Sequence, residues 1–340
     1  MKFINRKKDI EFLKTYLKTE PNCLLFIYGP KSSGKSSLLN KVIQELEYEE
    51  YAVNFLDLRQ VIIYNFKSFL NVFFPKRLRN KVKDILKGIT INSGFFSVSV
   101  EEESFLQENA FGLMVDKLIS ANKRGIKPVI IIDEIQLLKN IWMNGERYLI
   151  DELFNLFIAL TKVRHLSHVI LATSDSYFIE EIYKSAKLAK TSKFFLLEHF
   201  GKEDVYNWLE QENFKDQEIE MIWNYLGGCP WEIRQIIEEK KQGISTEHSC
   251  ESLLKDAYGR VFEFSRSLDK EEKKLFNKIN EQITARASYE ISMDDDKALD
   301  IILKKAIESD IWFYSAHDRK ITANSRSIFH ALFKSPPKIL

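Results

Sequence analysis

The chain reads Cys23-Leu-Leu-Phe-Ile-Tyr28-Gly29-Pro30-Lys31-Ser32-Ser33-Gly34-Lys35-Ser36-Ser37 where an apolar run meets a glycine-rich loop. A short run that is apolar on both faces is typical of a central parallel strand covered by helices on either side. From Gly29 to Ser36 the loop matches G-x-x-x-x-G-K-[ST] at every fixed position, and a helical pattern follows it. The stretch therefore predicts a phosphate-binding loop, or P-loop, at the edge of a parallel sheet.

The P-loop residues have the chemistry that a triphosphate requires. Successive backbone N–H groups around Gly34 and the N-terminus of the next helix supply directional positive potential. We expect Lys35 to reach the β- and γ-phosphates and the Ser36 hydroxyl to ligate Mg²⁺. The predicted nucleotide-binding residues of the loop are Gly29, Pro30, Lys31, Ser32, Ser33, Gly34, Lys35, Ser36 and Ser37.

Two carboxylates end a second apolar run, Val129-Ile-Ile-Ile-Asp133-Glu134. A strand that ends this way places both side chains at the carboxyl edge of the sheet, where ligands of open α/β folds bind. We expect Asp133 to hold Mg²⁺, through its water shell, and Glu134 to polarise an attacking water. The alternative is that the pair caps a helix at 135–138. The pair suits water activation, which disfavours a kinase acting on a small substrate.

A polar turn, Thr173-Ser174-Asp175-Ser176, follows the predicted strand His168 to Thr173. Thr173 and Ser174 are candidates to sense a γ-phosphate or orient the water, because this strand is expected between the other two motifs. The same residues are explained equally well by a Ser/Asp cap on a helix from Tyr177.

A second glycine turn, Gly227-Gly228-Cys229-Pro230, separates two helical patterns in an acidic segment. Glycine at the end of one helix and proline at the start of the next is ordinary helix punctuation. If this segment folds over the nucleotide, Pro230 would contact the base or phosphates, and Arg234 would reach the γ-phosphate.

The alternation of strands and helices from Cys23 to His199 predicts a doubly wound parallel α/β domain, with a P-loop NTPase core of the ASCE/AAA+ kind. We predict three domains: residues 1–199, with an insertion at 66–107; a helical lid at 200–250; and a winged-helix-like domain at 251–340, ending in a hairpin over 311–322. The insertion is basic and rich in Phe, which fits either nucleic-acid or partner contact, or an amphipathic helix pair whose Phe face packs on the core.

Bulk composition excludes several classes of protein. With 50 basic and 49 acidic residues, the net charge of +1 does not indicate a nucleic-acid or membrane-surface protein. Three scattered cysteines are too few for a disulfide framework, and we expect no signal peptide, no membrane span and a cytoplasmic location. The last thirty residues hold five Lys or Arg and one Asp, so they are the local candidate for duplex DNA; packing on a partner or on the ATPase core is the alternative.

Two histidines, His165 and His168, have a spacing that suits a metal ion, but no third or fourth ligand accompanies them. We therefore interpret them as a solvated helix end.

The stretch Phe3-Ile-Asn5-Arg6-Lys-Lys-Asp9-Ile-Glu11-Phe-Leu13 resembles the F-x-[NG]-R-x-x-E-L lead-in of archaeal-type P-loop ATPases. These belong to the STAND group, related to AAA+ and Cdc6/Orc1 ATPases, in which the motifs above follow in the same order. The resemblance implies that Asn5 and Arg6 line the adenine side of the pocket, that ATP or ADP and Mg²⁺ are the ligands, and that a winged helix ends the chain.

A departure from the family concerns the Gly-Arg pair that often precedes the fifth strand. The corresponding stretch, Lys187 to Lys193, has no arginine, so an arginine finger from it is not expected; Arg147 and Arg164 are poor substitutes. Two hypotheses remain: a slow, Mg²⁺-dependent ATPase switch that changes assembly state or associates with DNA, and a nucleotide-dependent binding module with little or no hydrolysis.

Overall fold

The computed structural model describes residues 6–46, 50–74, 98, 100–143, 145, 147–292 and 297–333. Up to residue 199 its elements are α1 (Lys7–Lys18), β1 (Leu24–Tyr28), α2 (Lys35–Glu45), β2 (Tyr51–Asp57), α3 (Phe66–Phe73), α4 (Val100–Lys123), β3 (Lys127–Asp133), β4 (Trp142–Met143), β5 (Arg147–Tyr148), α5 (Leu149–Ile158), β6 (His168–Thr173), α6 (Ser176–Lys184), α7 (Ala186–Ala189) and β7 (Ser192–Leu196). Thereafter they are α8 (Lys202–Gln211), α9 (Asp216–Leu226), α10 (Pro230–Lys241), α11 (Thr246–Ser267), α12 (Lys270–Arg286), β8 (Tyr289–Glu290), α13 (Lys297–Glu308), β9 (Trp312–Ser315), β10 (Lys320–Ala323) and α14 (Arg326–Ala331). Among the described helices, none combines the length and apolar character needed to cross a bilayer.

Five parallel strands form the central sheet, in the spatial order β2-β3-β6-β1-β7. Every residue of β1 and β6 is buried, because helices cover both faces. On one face α1 and α2 pack through side chains such as Leu13 and Val42. On the other, α3 to α6 contribute Phe69, Leu118 and Phe157 among others. The predicted doubly wound α/β core is confirmed.

The strand order brings the three sequence motifs to one edge. Strand β6 lies between β1 and β3, with Thr173 opposite Tyr28 and Ala172 opposite Asp133. Because the strands are parallel and in register, the residues that follow them emerge side by side at the carboxyl edge of the sheet.

The aromatic face of α3 packs into the core. Phe69, Phe73 and Phe74 are buried against the sheet-covering helices. The alternative of an amphipathic helix packed on the core is thus confirmed for α3, while residues 75–97 of the predicted insertion lie outside the described residues.

The histidine prediction is wrong for His168. It is the first residue of β6, it is buried, and its Nε2 lies 3.0 Å from the Thr19 carbonyl oxygen. Burial lowers its pKa to about 4, so it is a neutral core side chain at physiological pH. His165 is exposed, has a left-handed φ of 50°, and its Nδ1 lies 2.6 Å from the Pro21 carbonyl oxygen.

Helices α8 to α10 and the first half of α11 share an apolar core. The turn between α9 and α10 needs both of its glycines. Gly227 has a left-handed φ of 67°, and a Cβ on Gly228 would lie 1.8 Å from the Phe200 carbonyl oxygen. Pro230 is then the first residue of α10, where its missing N–H costs nothing.

The C-terminal elements form a second apolar core around a three-stranded antiparallel sheet of order β8-β10-β9. Trp312 is buried there, and its Nε1 donates to Asn280 Oδ1 at 2.9 Å. Helix α11 runs without a break across the limit predicted at residue 250, and its second half joins this core through Ala257 and Phe264. The winged helix and the three domain limits (1–199, 200–250 and 251–340) stay predictions.

Candidate active site

The P-loop connects β1 to α2 and wraps around the first turn of that helix. Gly34 precedes α2 with a φ of 95°, a conformation that favours glycine. Gly29 is required for another reason, because a Cβ there would lie 2.1 Å from the Leu197 carbonyl oxygen. The sequence therefore folds locally so that free N–H groups at the start of α2 face the cleft.

Lys35 is almost completely buried, at 5% exposure, inside its own loop. Its Nζ donates to the carbonyl oxygens of Gly29 and Pro30, both at 3.0 Å, and lies 3.3 Å from Ser33 Oγ. Burial lowers the pKa of Lys35 to about 8, although the carboxylates of Glu134 and Asp133 oppose the shift. An anionic phosphate beside the ammonium would raise this pKa again by stabilising the charged form, which is the electrostatic basis for phosphate binding here.

Asp133 ends β3 with no solvent exposure. The Ser36 hydroxyl donates to its Oδ2 at 2.5 Å. Burial raises the pKa of Asp133, against the lowering effect of this hydrogen bond. One hydroxyl and one carboxylate oxygen, side by side at the phosphate loop, fit the ligand set of Mg²⁺, which takes few protein oxygens and keeps phosphate and water for the rest.

Glu134 has a strained backbone and a well-held side chain. Its φ of 60° is left-handed, which is uncommon for a residue other than glycine and is concentrated at functional sites. Its carboxylate accepts from Ser174 Oγ at 3.0 Å and from Gln136 Nε2 at 2.5 Å. Although Glu134 precedes the 3-10 turn Ile135–Leu138, its side chain does not cap that turn, so the helix-cap alternative is wrong for Glu134.

Ser174 contacts Glu134 directly, and Thr173 is linked to it through Gln136. Thr173 Oγ1 donates to Gln136 Oε1 at 2.7 Å, and Gln136 in turn donates to Glu134. The cap of α6 comes from Asp175, whose Oδ1 accepts from the Phe178 backbone N–H at 3.0 Å. The helix cap that the sequence suggested is thus confirmed, with Asp175 as the capping residue, while the sensing role of Thr173 and Ser174 stays a prediction.

Arg59 is a site residue that the sequence analysis did not identify. Its Nη2 donates to Ser36 Oγ at 2.5 Å and to Asp133 Oδ2 at 3.2 Å, and its Nη1 lies 3.3 Å from Glu134 Oε1. Partial burial disfavours its charge, but the carboxylates outweigh this and raise the pKa of Arg59. The sequence feature that could have indicated Arg59 as a site residue is its position two residues after β2, at the same edge of the sheet.

A cleft of about 460 Å³ opens over the P-loop, a volume within the range of small-molecule sites. One wall is the P-loop with Arg59, Glu134 and Ser174. The opposite wall is the start of α10, which contributes Pro230, Trp231 and Arg234. Lys31, Ser32, Gly34, Lys35, Ser36 and Ser37 are the P-loop residues that line it. Trp231, which the sequence analysis did not single out, is 52% exposed there.

Arg6 holds the backbone of the P-loop through hydrogen bonds. Its Nη2 donates to the carbonyl oxygens of Ser33 at 2.7 Å and Glu198 at 2.8 Å, and its guanidinium lies 4.4 Å from the centre of the Phe200 ring. It is not among the residues that line the cleft, so its predicted contact with adenine stays a prediction. Asn5 lies outside the described residues.

Comparison with known proteins places the chain in a family. Residues 3–236 match the model of an ATPase domain found predominantly in Archaea. An uncharacterized ATP-binding protein of Methanocaldococcus jannaschii is 36% identical over 339 residues, covering 98% of this chain and 96% of the relative.

Solved structures share the fold. A Walker-type ATPase of Pyrococcus abyssi superposes with a TM-score of 0.63 at 16% identity, covering 97% of this chain and 96% of the other. The ORC2 protein of Aeropyrum pernix, solved with ADPNP and ADP, gives a TM-score of 0.50 at 12% identity, covering 95% and 90%. The resemblance to archaeal-type P-loop ATPases is confirmed, and the chain belongs to the family of ATPase domains found predominantly in Archaea.

Proposed function

We propose that this protein binds ATP with Mg²⁺ in the cleft over the P-loop, hydrolyses it slowly, and uses the nucleotide to control the position of its C-terminal segment. The observation that carries the proposal is the convergence of Lys35, Ser36, Asp133 and Glu134 at one sheet edge. Lys35, Ser36 and Glu134 line a cleft of suitable size, and the buried Asp133 accepts a hydrogen bond from Ser36. Membership of an ATPase-domain family and the ATP-binding relatives support it.

Hydrolysis would proceed by in-line attack of water on the γ-phosphorus. The new P–O bond forms to the water oxygen while the bond to the β,γ-bridging oxygen breaks, and ADP leaves. Glu134 would accept the water proton, with Ser174 and Gln136 holding its carboxylate. Lys35 would neutralise charge on the transferred group. Ser36 and Asp133 would hold Mg²⁺, whose contribution is to neutralise phosphate charge. Arg234, on the opposite wall, would contact the γ-phosphate.

The switch part of the proposal rests on contacts between the P-loop and the C-terminal segment. Lys31 Nζ, at the tip of the loop, bonds Asp310 Oδ2 at 2.6 Å. At the base of the loop, the Tyr28 ring stacks on Phe313 with centroids 6.4 Å apart. A nucleotide that draws Lys31 toward its phosphates would compete with Asp310 for the same ammonium, so ATP and ADP would favour different positions of the C-terminal segment.

We interpret the C-terminal segment as a winged-helix module. Its order α12, β8, α13 and the β9–β10 hairpin is consistent with that interpretation. Arg319 and Lys320 in the hairpin make duplex DNA the first partner class to test, and a protein partner or self-assembly the next. Arg326 is not in this set of DNA-contact candidates, because its guanidinium packs within the protein, 4.9 Å from the centre of the Trp223 ring.

The alternative is a nucleotide-dependent binding module with little or no hydrolysis. The observation that favours it is Arg59, whose guanidinium pairs with both carboxylates on which hydrolysis depends.

The experiment measures ATP binding and phosphate release for wild type and Glu134→Gln. Glutamine keeps the shape but cannot take a proton, so binding should be retained while phosphate release falls by about 100-fold or more. Glu152→Gln, which removes a carboxylate that does not line the cleft, is the matched control. Equal release from wild type and Glu134→Gln would remove Glu134 from the mechanism, and binding without release in wild type would favour the alternative.

Lys35→Ala tests the binding step separately. It removes the buried ammonium from the phosphate loop, so ATP affinity should fall. An unchanged nucleotide titration would contradict the P-loop assignment.

A further inference from the structure

Arg59 makes a forked contact with three groups that the proposed chemistry needs. Through Nη2 it reaches both Ser36 Oγ and Asp133 Oδ2, and through Nη1 it reaches Glu134 Oε1. A planar guanidinium spans several oxygens in this way, while a lysine ammonium is a single point of charge.

The position of Arg59 is set by a second anchor on its own strand end. Asp57 Oδ1 accepts from the Arg59 backbone N–H at 3.0 Å and lies 3.4 Å from its Nε. The side chain is half exposed at 51% and lines the cleft. A side chain anchored at its base and open to solvent at one side can leave the carboxylates without unfolding the loop.

The Arg59 contact and a metal ion at the same oxygens exclude each other. A magnesium ion lies about 2.0–2.1 Å from its oxygen ligands, and Arg59 Nη2 lies only 2.5 Å from Ser36 Oγ. A cation on Ser36 and Asp133 would meet the guanidinium at close range, where like charges repel.

We infer that Arg59 is a resident counter-cation that competes with Mg²⁺ for Ser36 and Asp133, and thereby sets the Mg²⁺ concentration at which the protein binds nucleotide in its metal-loaded form. This inference rests on the proposed nucleotide function and deepens it. Without Arg59, the two buried carboxylates would lose the guanidinium that contacts both of them, so the arginine stabilises the site until the metal takes over its role.

The experiment is a calorimetric titration of ADP into the full chain at a series of free Mg²⁺ concentrations and in EDTA. Arg59→Ala removes the competitor, and loss of one charge-assisted contact corresponds to roughly a 10-fold change in an equilibrium constant. We expect the Mg²⁺ concentration for half-maximal enhancement of ADP affinity to fall by about 10-fold. Arg59→Lys keeps the charge but not the forked contact, so its half-maximal Mg²⁺ concentration should lie between those of wild type and Arg59→Ala. Arg266→Ala, on α11, is the control and should match wild type.

The outcomes separate this inference from the proposed function. If wild type binds no ADP at any Mg²⁺ concentration, the nucleotide function itself is wrong. If wild type binds ADP but the Arg59→Ala and wild-type Mg²⁺ titrations coincide, or the variant needs more Mg²⁺, competition by Arg59 is wrong while the function stands. Thermal melting of Arg59→Ala and Arg59→Lys establishes that both variants are folded.

Discussion

Glu232 lies in the first turn of α10, and the fold opposes the ionisation of its carboxyl group. It lies on α10, is 3% exposed, and accepts a hydrogen bond on Oε1 from Ser327 of α14. Its Oε2 has no hydrogen-bond partner among the residues that the structure describes. Burial raises its pKa from 4.5 to about 7, against the lowering effects of Ser327 and Arg260. Glu232 is therefore mostly protonated below pH 7 and mostly ionised above it.

The sign of the pH effect follows from proton linkage. Between pH 4.5 and about 7 the folded protein binds a proton at Glu232 that the unfolded chain has released, so the free energy of unfolding falls as pH rises. Each pH unit in this window corresponds to about 1.4 kcal/mol, and the full window to roughly 3 kcal/mol. Glu232→Gln keeps an oxygen that accepts from Ser327 and cannot ionise, so the free energy of unfolding of the variant does not fall in this way as pH rises.

We expect Glu232→Gln to be close to wild type at pH 5 and more stable than wild type at pH 8, with the gap widening by about 2 to 3 kcal/mol. Urea unfolding followed by tryptophan fluorescence at four pH values measures it. Glu238→Gln, an exposed position on the same helix, is the matched control and should show no such trend. A gap that stays constant from pH 5 to pH 8, or a variant less stable than wild type at pH 8, would refute the reasoning.

Three further outcomes are expected. A double-mutant cycle of Lys31→Ala, Asp310→Ala and the double variant should show a coupling energy of up to about 1 kcal/mol in thermal stability, since the ion pair is partly exposed. Additive effects of the two substitutions would contradict this coupling. Binding of ATP or ADP should change the fluorescence of Trp231, and a Trp231→Phe variant should lose that component of the signal; an identical signal from the variant would place nucleotide elsewhere. Gly228→Ala should destabilise the protein by more than about 3 kcal/mol in urea unfolding, because its Cβ would collide with the Phe200 backbone; a near-wild-type midpoint would show that the turn can shift.

Local patterns predicted the sheet and the edge at which the sequence motifs meet. The apolar run before Gly29 and the one before Asp133 each specify a buried strand, and the polar residues directly after a strand must emerge at its carboxyl edge. The order of strands then determines that Thr173 lies between them. These predictions succeeded because their causes act over a few residues of chain.

Contacts between distant residues were not predicted. Arg59 meets Asp133 across 74 positions of sequence and Lys31 meets Asp310 across 279, and neither pairing has a local periodicity that would reveal it. His168 shows the related limit, since its polar side chain suggested a solvated position although strand pairing buries it. Side-chain partners of this kind depend on tertiary packing, which sequence spacing does not encode.

Polar contacts join the C-terminal segment to both walls of the nucleotide cleft. On the P-loop wall the contact is Lys31 with Asp310, and on the α10 wall it is Glu232 with Ser327. A change in the width of the cleft that did not move the segment as a whole would strain these two contacts, together with the packing of Phe313 on Tyr28. The α10 contact is buried and the Lys31 contact is partly exposed, so breaking the Lys31–Asp310 pair requires less free energy. In the proposed switch, the phosphates of the nucleotide act on that weaker contact, and the segment would stay with α10 while it separates from the P-loop.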